Sequence, residues 1–211
     1  MRHVCLTGFR FLNPIKDNFM DICLQILALS FTMQQMLLAE NADPELVEER
    51  GEELVELSGA ILSAAAEWGK DPLRMVAIGF QESRFAYRIE GFGVDNGTAC
   101  GVFQQIPHYA HPEPMSCEEL FDPEVAAYAL GAKLDRMESR WGEDNFGDLM
   151  CHYLNGSVCD EFGHAYAERH QRFYRWANRY FDEFQEEILE SGEMYDHLLG
   201  IDVDNHYACG W

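Results

Sequence analysis

Three times in this sequence an aspartate is followed directly by a proline and then by apolar residues at helical spacing. At Asp43-Pro44, Asp71-Pro72 and Asp122-Pro123 the carboxylate can accept from the free amides of a first helical turn. Proline lacks an N–H, so it fits that turn and is excluded from the turns that follow. The pattern sets three helix starts and points to a mainly α chain. After Pro44 the residues Val47, Leu54, Leu57, Ile61, Ala64 and Trp68 keep to one stripe, and Gly69 predicts the stop. The second start predicts a helix over 73–85, and the third carries Ala126, Leu130, Leu134 and Met137. A shorter helix is expected over 146–153. A last long one spans 164–189, with Tyr166, Phe173, Ala177, Tyr180, Phe184 and Ile188 on one face. The segment 91–114, with four glycines and three prolines, departs from this pattern and reads as loop or short strands and turns.

A chain of 211 residues with 47% hydrophobic content suits one domain with a sizeable core. The helical domain is assigned to 40–190, with an acidic tail over 191–211. Residues 1–39 read equally as a secretory signal or an N-terminal helix. Arg2, Arg10 and Lys16 precede an apolar stretch, as in a signal, but Asp21 and Gln25 interrupt it. Ser30, Thr32, Gln34 and Gln35 spoil the run of about 20 apolar residues that a membrane span needs, so no span is expected.

The formal charge of −22 opposes binding to nucleic acid, which needs clustered Lys and Arg, and to anionic membrane. It suits a solvated acidic surface. None of the seven cysteines forms a CxxC pair. Cys100/Cys117 and Cys151/Cys159 each bracket a short loop, which suits two disulfides in an oxidising compartment. His108, His111, His152, His164 and His170 are too dispersed to suggest a metal site, and no motif asks for a cofactor.

Glu82 is the leading candidate for chemistry. Met75, Ile78 and Gly79 stand seven, four and three residues before it, on its own helical face. A carboxyl ending an apolar stripe is partly desolvated, which raises its pKa and keeps the proton a general acid must donate.

Further motifs follow in order. Gln81-Glu82-Ser83-Arg84-Phe85 precedes Gly101-Val102-Phe103-Gln104-Gln105-Ile106-Pro107. Leu120 to Glu124, Gly131-Ala132 and Leu134 come next, followed by Cys151-His152-Tyr153-Leu154-Asn155-Gly156 and a helix with an early Tyr166. Over roughly residues 55–180 this ordered set resembles the lytic transglycosylase and goose-type lysozyme superfamily. Val102 and Phe103 stand where the family usually has Leu and Met, and Leu154 is an extra residue inside its Tyr-Asn motif. The resemblance implies a lysozyme-like helical domain with a Gly-rich active-site loop and helical extensions at both ends. It also implies that Glu82 is catalytic, while Ser83, Phe103, Gln104, Tyr153, Asn155 and Tyr166 bind or position the sugar.

Two chemistries follow from it. A lytic transglycosylase uses one Glu as acid and then base, leaving a 1,6-anhydro sugar. A goose-type muramidase would add a second carboxylate about 6.5–9.5 Å away to activate water, and Asp95 in the loop is the candidate. In both readings the partner is peptidoglycan, met in the periplasm, outside the cell or in the envelope. A third reading is a non-catalytic structural or sugar-binding protein on the same fold, such as a virion or secretion-apparatus component.

Overall fold

A computed structural model describes residues 18–92, 97–142, 146–155 and 159–191. The fold is mainly helical. In chain order it runs α1 (Asn18–Ala39), α2 (Pro44–Glu49), α3 (Gly51–Trp68), α4 (Pro72–Ser83), β1 (Glu90–Phe92), β2 (Thr98–Cys100), a single 3-10 turn (Pro107–Tyr109), α5 (Cys117–Leu120), α6 (Pro123–Trp141), α7 (Phe146–Asn155) and α8 (Glu161–Ser191). The side chain of Ile188 and the 191–211 tail beyond Ser191 lie outside the described part, as do residues 1–17.

All three Asp-Pro starts cap as their chemistry requires. Asp43 accepts from the amide of Glu45, Asp71 from Leu73, and Asp122 from Glu124 and Val125. Gly69 closes α3 in the left-handed conformation, at φ 62°. One expectation needs correction: the helix begun at Pro44 does not run unbroken to Trp68 but ends at Glu49. Arg50 leaves the helical conformation, and its guanidinium bonds the carbonyls of Arg84 (3.2 Å) and Phe85 (2.7 Å) at the far end of α4. A long-range anchor has won over local periodicity.

The α1 helix is part of the core. Leu29, Met33, Met36 and Leu37 join the cluster that α3, α4, α6, α7 and α8 build, and Phe31 packs on Phe184 with ring centroids 5.2 Å apart. Residues Ile22–Ala39 are long and apolar enough to cross a membrane by length and composition, and 61% of that stretch is buried inside the protein. The buried Thr32 hydroxyl returns to the carbonyl of Ala28 at 2.7 Å, the local bond such residues make in a helix.

Helix α8 runs through the assembly, packing on α1, α4 and α7, while α3 packs on α6. The β1–β2 hairpin is antiparallel, with Glu90 opposite Cys100 and Phe92 opposite Thr98. Both expected disulfides are present. Cys100–Cys117 ties the hairpin to α5, and Cys151–Cys159 ties α7 to the segment entering α8. Cys23 is disulfide-bonded as well. Bonds of this kind persist in oxidising compartments, such as the cell exterior or envelope.

Candidate active site

Glu82 lies in the last turn of α4, a helix whose residues from Met75 to Phe80 are all buried. Two features place it there. Gly79, one turn earlier, leaves space for the rings of Phe103 and Phe85; a Cβ at that glycine would stand 3.1 Å from Phe103. Beyond Ser83 the chain then reverses through Arg84 and Phe85, at φ 54° and 64°. Two successive non-glycine residues in the left-handed region carry strain, which the surroundings must offset. Here the Arg50 guanidinium holds both of their carbonyls, and the Phe85 ring is fully buried.

The Glu82 side chain is 16% exposed. Four residues from three other helices converge on it. From α8 the Tyr166 hydroxyl donates a hydrogen bond to Oε1, and His170 brings Nε2 to 3.7 Å from the same oxygen. From α6 comes Lys133, whose Nζ lies 3.4 Å over the centre of the Tyr153 ring; Tyr153, on α7, donates to the carbonyl of Phe103 at 3.4 Å.

Burial raises the pKa of Glu82, while the Tyr166 hydrogen bond and the charges of Lys133 and Arg169 pull it back down. Burial is the largest of these influences, and it favours the protonated carboxyl. Lys133 is shifted in the complementary direction. Burial lowers it to about 8, with the Glu82 charge opposing that fall. His170 is lowered to about 4 by burial and is therefore neutral at physiological pH. The Tyr153 and Tyr166 phenols are pushed up by burial and by Glu82, so they remain hydrogen-bond donors.

Of the two tyrosines expected to bind the sugar, Tyr166 bonds Glu82 directly, and Tyr153 lies close enough to feel its charge. Ser83 and Gln104 act one step away. The Ser83 hydroxyl donates to the carbonyl of Val102 at 2.7 Å, pinning the 101–107 segment to the end of α4. The Gln104 side chain donates to the carbonyls of Ile89 (3.2 Å) and Gly101 (2.9 Å), holding that segment on the hairpin. The turn also needs Gly101, at φ 75°, where a Cβ would collide with the carbonyl oxygen of Leu120.

Phe103 requires a correction. Its side chain is 0% exposed and packs over Gly79, so it serves the core and offers no ring face to a sugar. Asp95 and the Asn155 side chain lie outside the described residues.

Lys133 and His170 were missed as site residues, and both left a signal. Lys133 falls on the stripe of Ala126, Leu130 and Met137, seven and three residues after the first two. His170 falls between Tyr166 and Phe173 on the apolar stripe of α8. An ionisable residue at the centre of an apolar stripe must be buried, and a buried one needs a partner.

No protein-family model, curated protein or solved structure matches the chain.

Proposed function

We propose that this protein cleaves the β-1,4 bond between N-acetylmuramic acid and N-acetylglucosamine in peptidoglycan, as a lytic transglycosylase on a lysozyme-like fold. The observation that carries this reading is Glu82. It is a nearly buried carboxyl with a raised pKa, at the end of an apolar helix, held through one oxygen by Tyr166. A protonated carboxyl so placed can give its proton to a glycosidic oxygen as the bond breaks.

The carboxylate left behind is then stabilised by the Tyr166 hydroxyl and by the charges of Lys133 and Arg169. In that state Glu82 acts as the base, drawing the proton from the muramyl 6-hydroxyl as that oxygen closes on the anomeric carbon. No second protein carboxylate is needed. On this reading Tyr153, which lies beneath the Lys133 ammonium, borders the bound sugar. The disulfides suit an enzyme acting on the wall from the periplasm, the exterior or a virion.

The test is digestion of purified peptidoglycan with separation of the muropeptides by mass. Anhydro-muramyl ends, lighter by one water than hydrolytic ends, are expected. Glu82→Gln removes them, and Asp95→Asn costs less than about tenfold. Reducing ends together with an inactive Asp95→Asn variant would establish a muramidase instead. Absence of any cleavage would leave a non-catalytic protein on the same fold.

A further inference from the structure

The proposed mechanism leaves His170 unused, although its Nε2 stands 3.7 Å from the acid. It lies one turn after Tyr166 on α8, and its ring is 0% exposed. Its Nδ1 is 3.0 Å from the carbonyl oxygen of Tyr166. A carbonyl only accepts, so Nδ1 carries the hydrogen, and in a neutral ring Nε2 is then a bare lone pair. That lone pair has no hydrogen-bond partner among the described residues, and it faces Glu82 Oε1 at 3.7 Å.

We propose that His170 is a positioning residue for the catalytic acid: its bare Nε2, turned on Glu82 from the protein interior, favours the protonated carboxyl over the carboxylate. This rests on the reading of Glu82 as the acid. A donor at that position would stabilise the anion, as the Tyr166 hydroxyl does; an acceptor opposes the anion and welcomes an acid hydroxyl. The present separation is roughly an ångström longer than a made O–H···N bond. The contact therefore closes only when the proton sits on the inner oxygen and the carboxyl turns toward the ring. Doing so gives a buried nitrogen the partner it lacks.

The other groups around Glu82 act in the opposite sense. Tyr166 and Arg169 on α8 and Lys133 on α6 all favour the carboxylate, and Tyr153 on α7 adds no charge while its phenol holds its proton. Among these polar neighbours, His170 alone joins burial in keeping the proton on Glu82. Burial also keeps the ring itself neutral down to about pH 4, so it remains an acceptor over the range in which the acid works.

The informative variant is His170→Asn. Eight residues later on the same helix, Asn178 Nδ2 donates to the carbonyl of Tyr174, four residues back, at 2.7 Å. An asparagine at 170 can make the same bond to Tyr166 and replaces Nδ1, while nothing replaces Nε2. The readout is the carbon-13 titration of the Glu82 carboxyl in the full chain, its signal assigned by its loss in Glu82→Gln. The midpoint should fall by about one pH unit in His170→Asn. In the unsubstituted protein, the nitrogen-15 shift of Nε2 should be that of an unprotonated nitrogen at pH 7, and should respond with the same midpoint as Glu82.

An unchanged Glu82 midpoint in a folded His170→Asn protein would overturn the proposal. So would a protonated Nε2 at pH 7, a measurement that needs no variant. Glycan cleavage enters neither readout. A protein that cleaves nothing would therefore dismiss the glycosidase reading, while the titrations still decide whether His170 holds the proton on Glu82.

Discussion

The hydroxyl of Tyr166 donates to Oε1 of Glu82 across a sequence separation of 84 residues, joining the end of α4 to the start of α8. This bond and burial act on the carboxyl in opposite directions. Burial holds the proton on; the phenol eases its departure by stabilising the anion. On the proposed mechanism, in which Glu82 is an acid and then a base, both are needed, with neither overwhelming the other.

Tyr166→Phe removes the donor and leaves the ring. Glu82 then loses a stabiliser of its charged form, so its pKa rises further. The alkaline limb of the kcat/KM profile, where the acid loses its proton, should move to higher pH. The maximal rate should fall about tenfold, or about 1.4 kcal/mol, because the carboxylate formed in the first step is less stable. A pH–rate profile on soluble glycan fragments checks both; a limb that moves down would contradict the assigned direction of the bond.

Glu82→Gln should abolish cleavage and stabilise the fold. The sign follows from linkage. A group whose folded pKa is raised gives its full contribution below the unfolded value, near 4.5, and loses it as pH rises through the folded value. At neutral pH the buried carboxyl is therefore a liability that a neutral amide removes. The melting temperature of the variant should exceed that of the parent at pH 7–8, with the difference shrinking toward pH 4. An equal difference at both ends would show that the carboxyl is not desolvated in solution.

Much of this arrangement was legible in the sequence, and the reasons differ by residue. Asp71-Pro72 fixed the start of α4, and so the face on which Glu82 lies. Cys100/Cys117 and Cys151/Cys159 were readable as pairs because each closes a short loop. The break at Arg50 was not readable, because it depends on carbonyls 34 and 35 residues away. Phe103 was misread for a related reason. A phenylalanine beside a glycine-rich loop can face a cleft or a core, and the choice rests with Gly79, 24 residues earlier, whose missing side chain admits the ring. Lys133 and His170 were in plain view on apolar stripes, but a stripe read for its apolar members passes over the ionisable one.

Arg50→Met tests whether the strained turn after Glu82 is held from outside. Two charge-assisted hydrogen bonds to the carbonyls of Arg84 and Phe85 would be lost, and those residues would keep their left-handed conformations without support. The expected loss is about 2–4 kcal/mol in denaturant unfolding. Cleavage should also fall at temperatures where the variant is fully folded, since the turn sets the direction of the Glu82 side chain. Normal cleavage with reduced stability would confine Arg50 to a structural role.

Lys133→Met separates the cost of burying a cation from its use. Burial lowers Lys133 to about 8, from an ordinary value of 10.5. Between those two values the unfolded chain binds more protons than the folded one, so the parent gains stability as pH rises from about 8 toward 10.5. A methionine of similar length carries no such dependence. The variant should therefore melt above the parent at pH 7, and the gap should narrow by pH 10. Activity should move the other way. Without the ammonium, Glu82 loses a charge that stabilises its carboxylate, and its pKa climbs. The alkaline limb of the pH–rate profile then shifts upward while the maximal rate falls. A variant that is more stable, slower and shifted to higher pH would mark Lys133 as the counter-charge to Glu82. A less stable variant with an unchanged profile would mean that the ammonium reaches solvent and takes no part in the site.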